Sequence, residues 1–151
     1  MKRKKIILTT VLLFVLLAAG AAFFAFREYH RKNNTLTNTK PDYIESSIKL
    51  IDEFTMNEQQ SNAKYAGKVI QVNGIVKSVD EDDKGLFTVV LGEIEALSSV
   101  RCSIDSTAVS EVLKLKPGVS TIIKGICTGF NADEMGLGAD VILNRCVFVK
   151  Q

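Results

Sequence analysis

The sequence predicts a mainly β domain with a few helices, preceded by one apolar segment long enough to cross a membrane. Three patterns support this prediction: an uncharged run of 21 residues at 6–26, helical spacing of apolar residues after Pro41, and a period of two from Lys68 onward. A chain of 151 residues has material for one compact domain besides the apolar segment. We therefore divide it into a basic tail (1–5), an anchor (6–26), a polar linker (27–41) and a folded domain (42–151).

The apolar segment indicates that the domain lies outside the cytoplasm. At about 1.5 Å per residue, such a helix spans the roughly 30 Å hydrocarbon core of a bilayer. Four cations, at 2–5, precede it, and positive charge is retained on the cytoplasmic side. We expect a single-pass protein of a bacterial cell membrane with its N-terminus inside. The alternative is a cleaved signal with small residues at 19–21, but three phenylalanines continue the apolar run beyond them.

The linker is polar and rich in Asn and Thr, so it buries too little apolar surface to order itself. His30, the single histidine of the sequence, lies within it. A metal or haem site needs several ligands, and we therefore predict neither a metal nor another cofactor.

Two short helices are predicted before the sheet. Four apolar residues recur at spacings of four, three and three and share one helix face: Ile44, Ile48, Ile51 and Phe54. Asn57, with Gln60 three residues later, resembles a capping box and starts a second helix. That helix runs to about Tyr65, and Gly67 ends it.

Five strands are predicted after the helices. The first begins at Lys68, alternates Ile70, Val72 and Val76 on one face, and contains Gly74, which is typical of a bend. The other four are expected at 86–91, 100–104, 119–128 and 139–149. Asp105 or Ser106 can cap a short helix between the third and fourth strands. This element order is that of a five-stranded barrel, the OB fold; an open α+β sheet is the alternative.

Several stretches resemble the tRNA_anti-like family, OB-fold domains of exported or anchored bacterial proteins that are named for a likeness to an anticodon-binding domain. The resemblance covers about residues 44–149 and implies the OB fold. By analogy alone it also implies nucleic-acid binding. The stretches are KYAGKVIQVNG (64–74), VRC (100–102), LKPG (115–118), KGICTG (124–129) and DVILNRC (140–146).

The three cysteines, Cys102, Cys127 and Cys146, show no paired spacing typical of zinc ligands. In an exported protein a disulfide is the better interpretation. If the last two strands form a hairpin that turns at 136 and 137, positions whose numbers sum to 273 face each other. That register predicts a Cys127–Cys146 bridge. The alternative is three buried, reduced thiols that pack as small apolar residues.

The folded part is acidic, with 12 Lys or Arg against 16 Asp or Glu from Lys40 to Gln151, a net charge of −4. Phosphate recognition needs a basic groove with stacking aromatics. The loops that usually bind ligands in this fold carry acids here, at 80–83 and 133–134, which disfavours nucleic acid. Four cations on predicted strands are the candidates for a ligand face: Lys77, Arg101, Lys124 and Arg145.

The sequence therefore favours an anchored extracytoplasmic binding module over an enzyme, since no constellation of acid, base and nucleophile stands out. Its partner would be an envelope protein, a peptide or a glycan, besides the membrane that residues 6–26 cross. A nucleic-acid-binding protein is the alternative that the family implies. A tethered periplasmic haem chaperone is a third hypothesis, but it needs a histidine and a tyrosine at the C-terminal end of the domain, and the sequence has neither there.

Overall fold

The computed structural model describes residues 36–132 and 138–149. The six strands are β1 (Tyr43–Ser46), β2 (Val69–Glu81), β3 (Phe87–Leu91), β4 (Ser99–Ile104), β5 (Ser120–Ala132) and β6 (Ala139–Phe148). The helices are α1 (Ser47–Met56), α2 (Glu58–Tyr65) and α3 (Val109–Val112), with 3-10 turns at Leu36–Asn38 and Ser106–Ala108.

Five of the strands close into a barrel. The long strand β2 pairs antiparallel with β5 through its first half and with β3 through its second half. β3 pairs with β4, β4 runs parallel to β6, and β6 returns antiparallel to β5. Together with a short helix between β4 and β5, this closed order is that of an OB fold. The predicted barrel is confirmed, and the open sheet is wrong.

The core fills the barrel and the space beneath the first helix. Alternate residues of the strands point inward and are fully buried, among them Val72, Leu91 and Leu143. α1 packs against β2, β4 and β6 and adds Leu50 and Phe54 to the same core. Such close packing fixes the position of α1 on the barrel.

The predicted first helix is wrong at its start. Residues 43–46 form the strand β1, which runs parallel to β2, and Asp42 accepts a hydrogen bond from the Val69 amide at 2.8 Å. The helix begins only after Ser46, whose side chain accepts from the Lys49 amide and caps it. Backbone pairing with β2 removes Ile44 from the predicted helix face, and Ile44 is 61 % exposed. Ile48, on the first turn of α1, is 48 % exposed.

The second helix is confirmed. The Asn57 side chain accepts a hydrogen bond from the Gln60 amide at 3.0 Å, as a helix cap does. Gly67 follows the helix with a φ of 74°, a conformation that favours glycine. The hairpin of β5 and β6 is longer than predicted, since β5 continues to Ala132 and leaves a shorter loop.

The last residues of the predicted linker lie on the barrel. Leu36 is buried, and the Lys124 ammonium on β5 donates hydrogen bonds to the carbonyl oxygens of Thr37 and Thr39. The segment 36–40 is therefore part of the folded domain, contrary to the predicted boundary. Among residues 36–132 and 138–149, no helix is long and apolar enough to cross a bilayer. The predicted anchor at 6–26 and His30 lie outside the described residues.

Candidate binding face

The outer surface of β2, β3 and β4 is where OB folds usually bind their ligands. Since the inward positions of these strands belong to the core, their neighbours in sequence point outward. The strand register aligns two rows of such residues. We define the outer face as Ser78, Val90, Arg101 and Ile142 in the first row, Asp80, Thr88 and Ser103 in the second, and Asp140 beside them.

Arg101 lies in the middle of the outer face, and two carboxylates hold it. Its guanidinium is 3.2 Å from an Asp80 oxygen and 4.0 Å from an Asp140 oxygen. Asp140 also accepts a hydrogen bond from the Ser99 hydroxyl, which fixes its position. Two carboxylates therefore outnumber the single cation on the face, and an incoming anion would meet net negative charge beside Arg101.

The other three candidate cations lie elsewhere. Lys77 donates to the carbonyl oxygen of Ala96 in the loop between β3 and β4. Lys124 is 6 % exposed and lies under the segment 36–40. Arg145 has a φ of 56° and interacts with Asp105, the residue that caps the turn before α3. The structure therefore does not bring the four candidate cations together, since of these four Arg101 alone lies on the outer face.

The aromatic side chains of the described residues pack against the core. Phe54 and Tyr65 are fully buried, and the other four pack partly buried against the same core. Phe54 stacks on Phe130 with ring centroids 5.2 Å apart. The six rings are Tyr43, Phe54, Tyr65, Phe87, Phe130 and Phe148.

The turn between β2 and β3 is acidic, as predicted. Glu81, Asp82 and Asp83 are exposed there. The Asp82 carboxylate accepts hydrogen bonds from the amides of Lys84 and Leu86 at 2.9 and 2.8 Å, which shapes the turn. The acids predicted for the other ligand loop, at 133 and 134, lie outside the described residues.

The cysteine register differs from the predicted one. Paired positions of β5 and β6 sum to 271 or 270, so Cys127 lies opposite Leu143. Even where the pairing is regular its positions sum to 271 and not to 273, and irregularities on both sides of Ile126 and Cys127 lower that sum by one more, which removes the basis for a Cys127–Cys146 bridge. All three cysteines are buried free thiols. Burial raises the pKa of the Cys127 thiol and, with added contact from Cys102, that of Cys146.

A polar cluster on the helical hairpin was not predicted from the sequence. The Tyr65 hydroxyl donates to Glu53 at 2.8 Å, and the Lys64 ammonium also donates to Glu53 at 2.8 Å. The hydrogen bond from Lys64 lowers the pKa of Glu53, whereas burial raises the pKa of Tyr65 to about 12. The cluster fastens α2 to α1. In the sequence Tyr65 indicates only the end of a helix. Its partner Glu53 lies twelve positions earlier, and no local spacing predicts that contact.

The closed barrel, the parallel pair β4–β6 and the outer face define an OB-fold domain with an N-terminal helical extension. The chain belongs to the tRNA_anti-like family, which it matches over residues 1–147. This match confirms the resemblance seen in the sequence. No curated protein matches the chain.

Solved structures share the fold at low identity. A lipoprotein from Klebsiella pneumoniae, provisionally described as nucleic acid-binding, has a TM-score of 0.55 and 18% identity, covering 70% of this chain and 91% of its own. For asparaginyl-tRNA synthetase from Pyrococcus horikoshii the TM-score is 0.39 at 20% identity, and the match covers 58% of this chain and 20% of the synthetase. For aspartyl-tRNA synthetase from Entamoeba histolytica the TM-score is 0.46 at 15% identity, and the match covers 80% of this chain and 24% of the synthetase. The chain thus spans a quarter or less of these synthetases, and the likeness shows the fold alone.

Proposed function

We propose that the chain is a membrane-anchored, extracytoplasmic OB-fold module that binds a protein or peptide and catalyses no reaction. The observation that carries this proposal is the mixed charge of the outer face, where the two carboxylates of Asp80 and Asp140 compensate the single cation, Arg101. Mixed charges beside half-buried residues such as Thr88 suit a polypeptide, which offers both donors and acceptors.

Nucleic acid is the second candidate, favoured by the family's name and by the description of the Klebsiella lipoprotein. Two properties of the described residues oppose it. Non-specific affinity for phosphates comes from uncompensated Lys and Arg, and single strands also need exposed aromatic rings. On the outer face the arginine is paired, and the six described aromatic rings are packed against the core.

Anchoring in a bacterial membrane is supported by the sequence, through the uncharged run at 6–26 and the cations at 2–5. Such an anchor would hold the domain outside the cytoplasm. Envelope proteins are abundant in that compartment, whereas nucleic acid is scarce. A tethered module needs only modest affinity, because the membrane confines it near its partner.

Photo-cross-linking in living cells tests the proposal. A benzophenone amino acid replaces Thr88 on the outer face of the full chain, and a matched control replaces Leu113, which is exposed outside that face. We expect discrete protein adducts from position 88 that position 113 does not give. Adducts that nuclease removes would support the nucleic-acid alternative, and identical patterns from both positions would contradict a specific face.

Oligonucleotide binding provides the complementary test. The purified full chain, in lipid nanodiscs, is titrated into labelled single-stranded DNA and RNA at increasing salt, and anisotropy is recorded. The basic tail is neutralised by replacing the four cations at 2–5 with Gln, so that it contributes no signal. We expect no strong binding at physiological salt. Micromolar binding that weakens steeply with salt would overturn the proposal.

A further inference from the structure

A shallow apolar groove lies between α1 and the loop 92–98, which joins β3 to β4. Its volume is about 80 Å³, enough for one aliphatic side chain. The same loop exposes Ile94 and Leu97 to solvent, by 60 % and 69 %. The groove is lined by Ile48, Ile51 and Asp52 from the helix and by Glu93, Ala96 and Ser98 from the loop.

Both walls of the groove are held in place before any partner arrives. Leu50 and Phe54 anchor the helix because both are fully buried in the core. The loop is fixed at Gly92, whose amide donates to the Ile75 carbonyl at 2.9 Å, and at Ala96, whose carbonyl accepts from Lys77. A preformed groove requires little ordering on binding and therefore gains affinity.

Each wall also carries a carboxylate. Asp52 on the helix and Glu93 on the loop are exposed, and neither side chain forms an ion pair or hydrogen bond with another described residue. The six lining residues include no Lys or Arg. An apolar floor between two uncompensated acids matches a ligand that is aliphatic in the middle and cationic on both sides.

We propose that this groove docks a polypeptide segment in which an aliphatic side chain is flanked by Lys or Arg. The inference rests on the proposed function in that the partner is a protein. Arg is well suited to the flanks, because its guanidinium binds a carboxylate through two parallel hydrogen bonds. A second copy that docked through the same groove would bring Asp52 and Glu93 against like charges. An anionic lipid surface meets the same repulsion.

The test uses methyl NMR of the full chain in zwitterionic nanodiscs, with labelled isoleucines at 48, 51 and 94 as reporters. The probe is the blocked peptide Gly-Arg-Leu-Arg-Gly, compared with Gly-Glu-Leu-Glu-Gly and Gly-Arg-Ser-Arg-Gly. We expect the first peptide alone to shift the methyls of Ile48 and Ile51 to saturation. Equal shifts with the acidic or the serine peptide, or none with the first, would overturn the inference.

Variants locate the binding. The double variant Asp52→Asn with Glu93→Gln should lower the affinity for the arginine peptide about tenfold at low salt, because two solvated ion pairs are lost. The matched control, Glu58→Gln with Glu111→Gln, changes the net charge equally and should leave the affinity within about twofold. Unchanged binding to the first variant would overturn the inference.

Other occupants give distinct signals. Shifts of the Ile48 methyl that depend on protein concentration would identify a second copy, and shifts caused by anionic lipid in the nanodisc would identify the membrane surface. Either result would replace the proposed partner. If the adducts from Thr88 are protein but the peptide fails to bind, the proposed function stands and this inference falls. Nuclease-sensitive adducts from Thr88 would instead contradict the proposed function.

Discussion

The ammonium nitrogen of Lys124 lies 2.7 Å from the carbonyl oxygen of Thr39 and 3.1 Å from that of Thr37. A strand lysine thus holds the segment through which the chain enters the domain. Leu36, at the start of this segment, is buried on the same side through contacts with β6. The domain therefore has an ordered entry at its N-terminal end, and both Lys124 and Leu36 hold that entry on the barrel.

Replacing this cation should loosen the entry segment. Lys124→Met keeps most of the side-chain volume but removes both hydrogen bonds to the exposed residues Thr37 and Thr39, so we expect a loss of about 1 kcal/mol in unfolding free energy. Urea unfolding measures the loss, and cleavage after Lys40 by a lysine-specific protease should accelerate. Lys68→Met, at an exposed lysine, is the matched control. Equal protection of Lys40 in both variants would contradict the anchoring role.

Gly125 on β5 is predicted to tolerate no side chain. A Cβ there would overlap the Cys146 sulfur and lie 3.2 Å from Leu143 Cβ. Gly125→Ala should cost about 2 kcal/mol by overpacking the core. Combining it with Cys146→Ala should recover part of this loss in a double-mutant cycle, measured by urea unfolding.

Gly118 provides the control for this cycle. It has a φ of 87°, and a Cβ added there would meet no atom within 4 Å beyond its chain neighbours. Gly118→Ala should therefore lower the unfolding free energy by about 1 kcal/mol, through backbone strain alone. Cys146→Ala should not change that cost. Additive costs for Gly125→Ala and Cys146→Ala would show that the overlap with the sulfur is relieved by another movement.

The three thiols should react slowly in the native protein. Each is buried, and the pKa values of Cys127 and Cys146 are raised by burial, which reduces the reactive thiolate. We expect a charged maleimide to label them on the order of a hundredfold faster after denaturation. Mapping of non-reduced peptides should recover Cys127 and Cys146 unlinked. A peptide pair joining these residues would show that the strand register described above is wrong.

The cysteine result shows where sequence reasoning stops. The barrel was predictable, because a period of two marks β2 and β4 locally and Gly74 indicates a bend in β2. The register of β5 and β6 was not predictable, because the paired positions sum to 271 and not 273 beside the turn, and irregularities near Ile126 and Cys127 shift the pairing by one more residue without any sequence mark. β1 was missed for a related reason: its backbone pairing with β2 is not visible in its own residues.

The candidate site was predicted only in part for a different reason. A sequence shows which strand carries a cation, but it does not show what covers the outside of a barrel. The segment 36–40 covers Lys124, and the loop 92–98 binds Lys77, so both are removed from the outer face. The acidic turn after β2 was predictable because it depends on adjacent residues alone.

The Glu53 cluster should give the domain a pH-dependent contribution to stability. The pKa of Glu53 is lowered from its ordinary 4.5, chiefly by the hydrogen bond from Lys64. Folding therefore favours the ionised carboxylate, so its contribution is complete above pH 4.5 and is lost as the pH falls through the native pKa. Glu53→Gln should cost about 1 kcal/mol at neutral pH and progressively less below pH 4.5.

Urea unfolding of both proteins from pH 3 to 7 measures this difference. Glu58→Gln is the control, since the one hydrogen bond that its carboxylate accepts from a described side chain is long, 3.4 Å from Asn62. A stability difference for Glu53→Gln that stays constant across this range would assign the loss to packing instead of charge.

Releasing Arg101 from its carboxylates should change what the outer face binds. In Asp80→Asn with Asp140→Asn, the arginine keeps its position on β4 but no longer faces compensating charge. Single-stranded oligonucleotides should then bind more tightly, by about tenfold, with a salt slope steeper by about one ion, because one more cation can neutralise a phosphate. Glu58→Gln with Glu111→Gln gives the same change in net charge away from the face and should raise affinity less. Equal gains in the two variants would mean that overall charge, and not the pairing of Arg101, opposes nucleic acid on this domain.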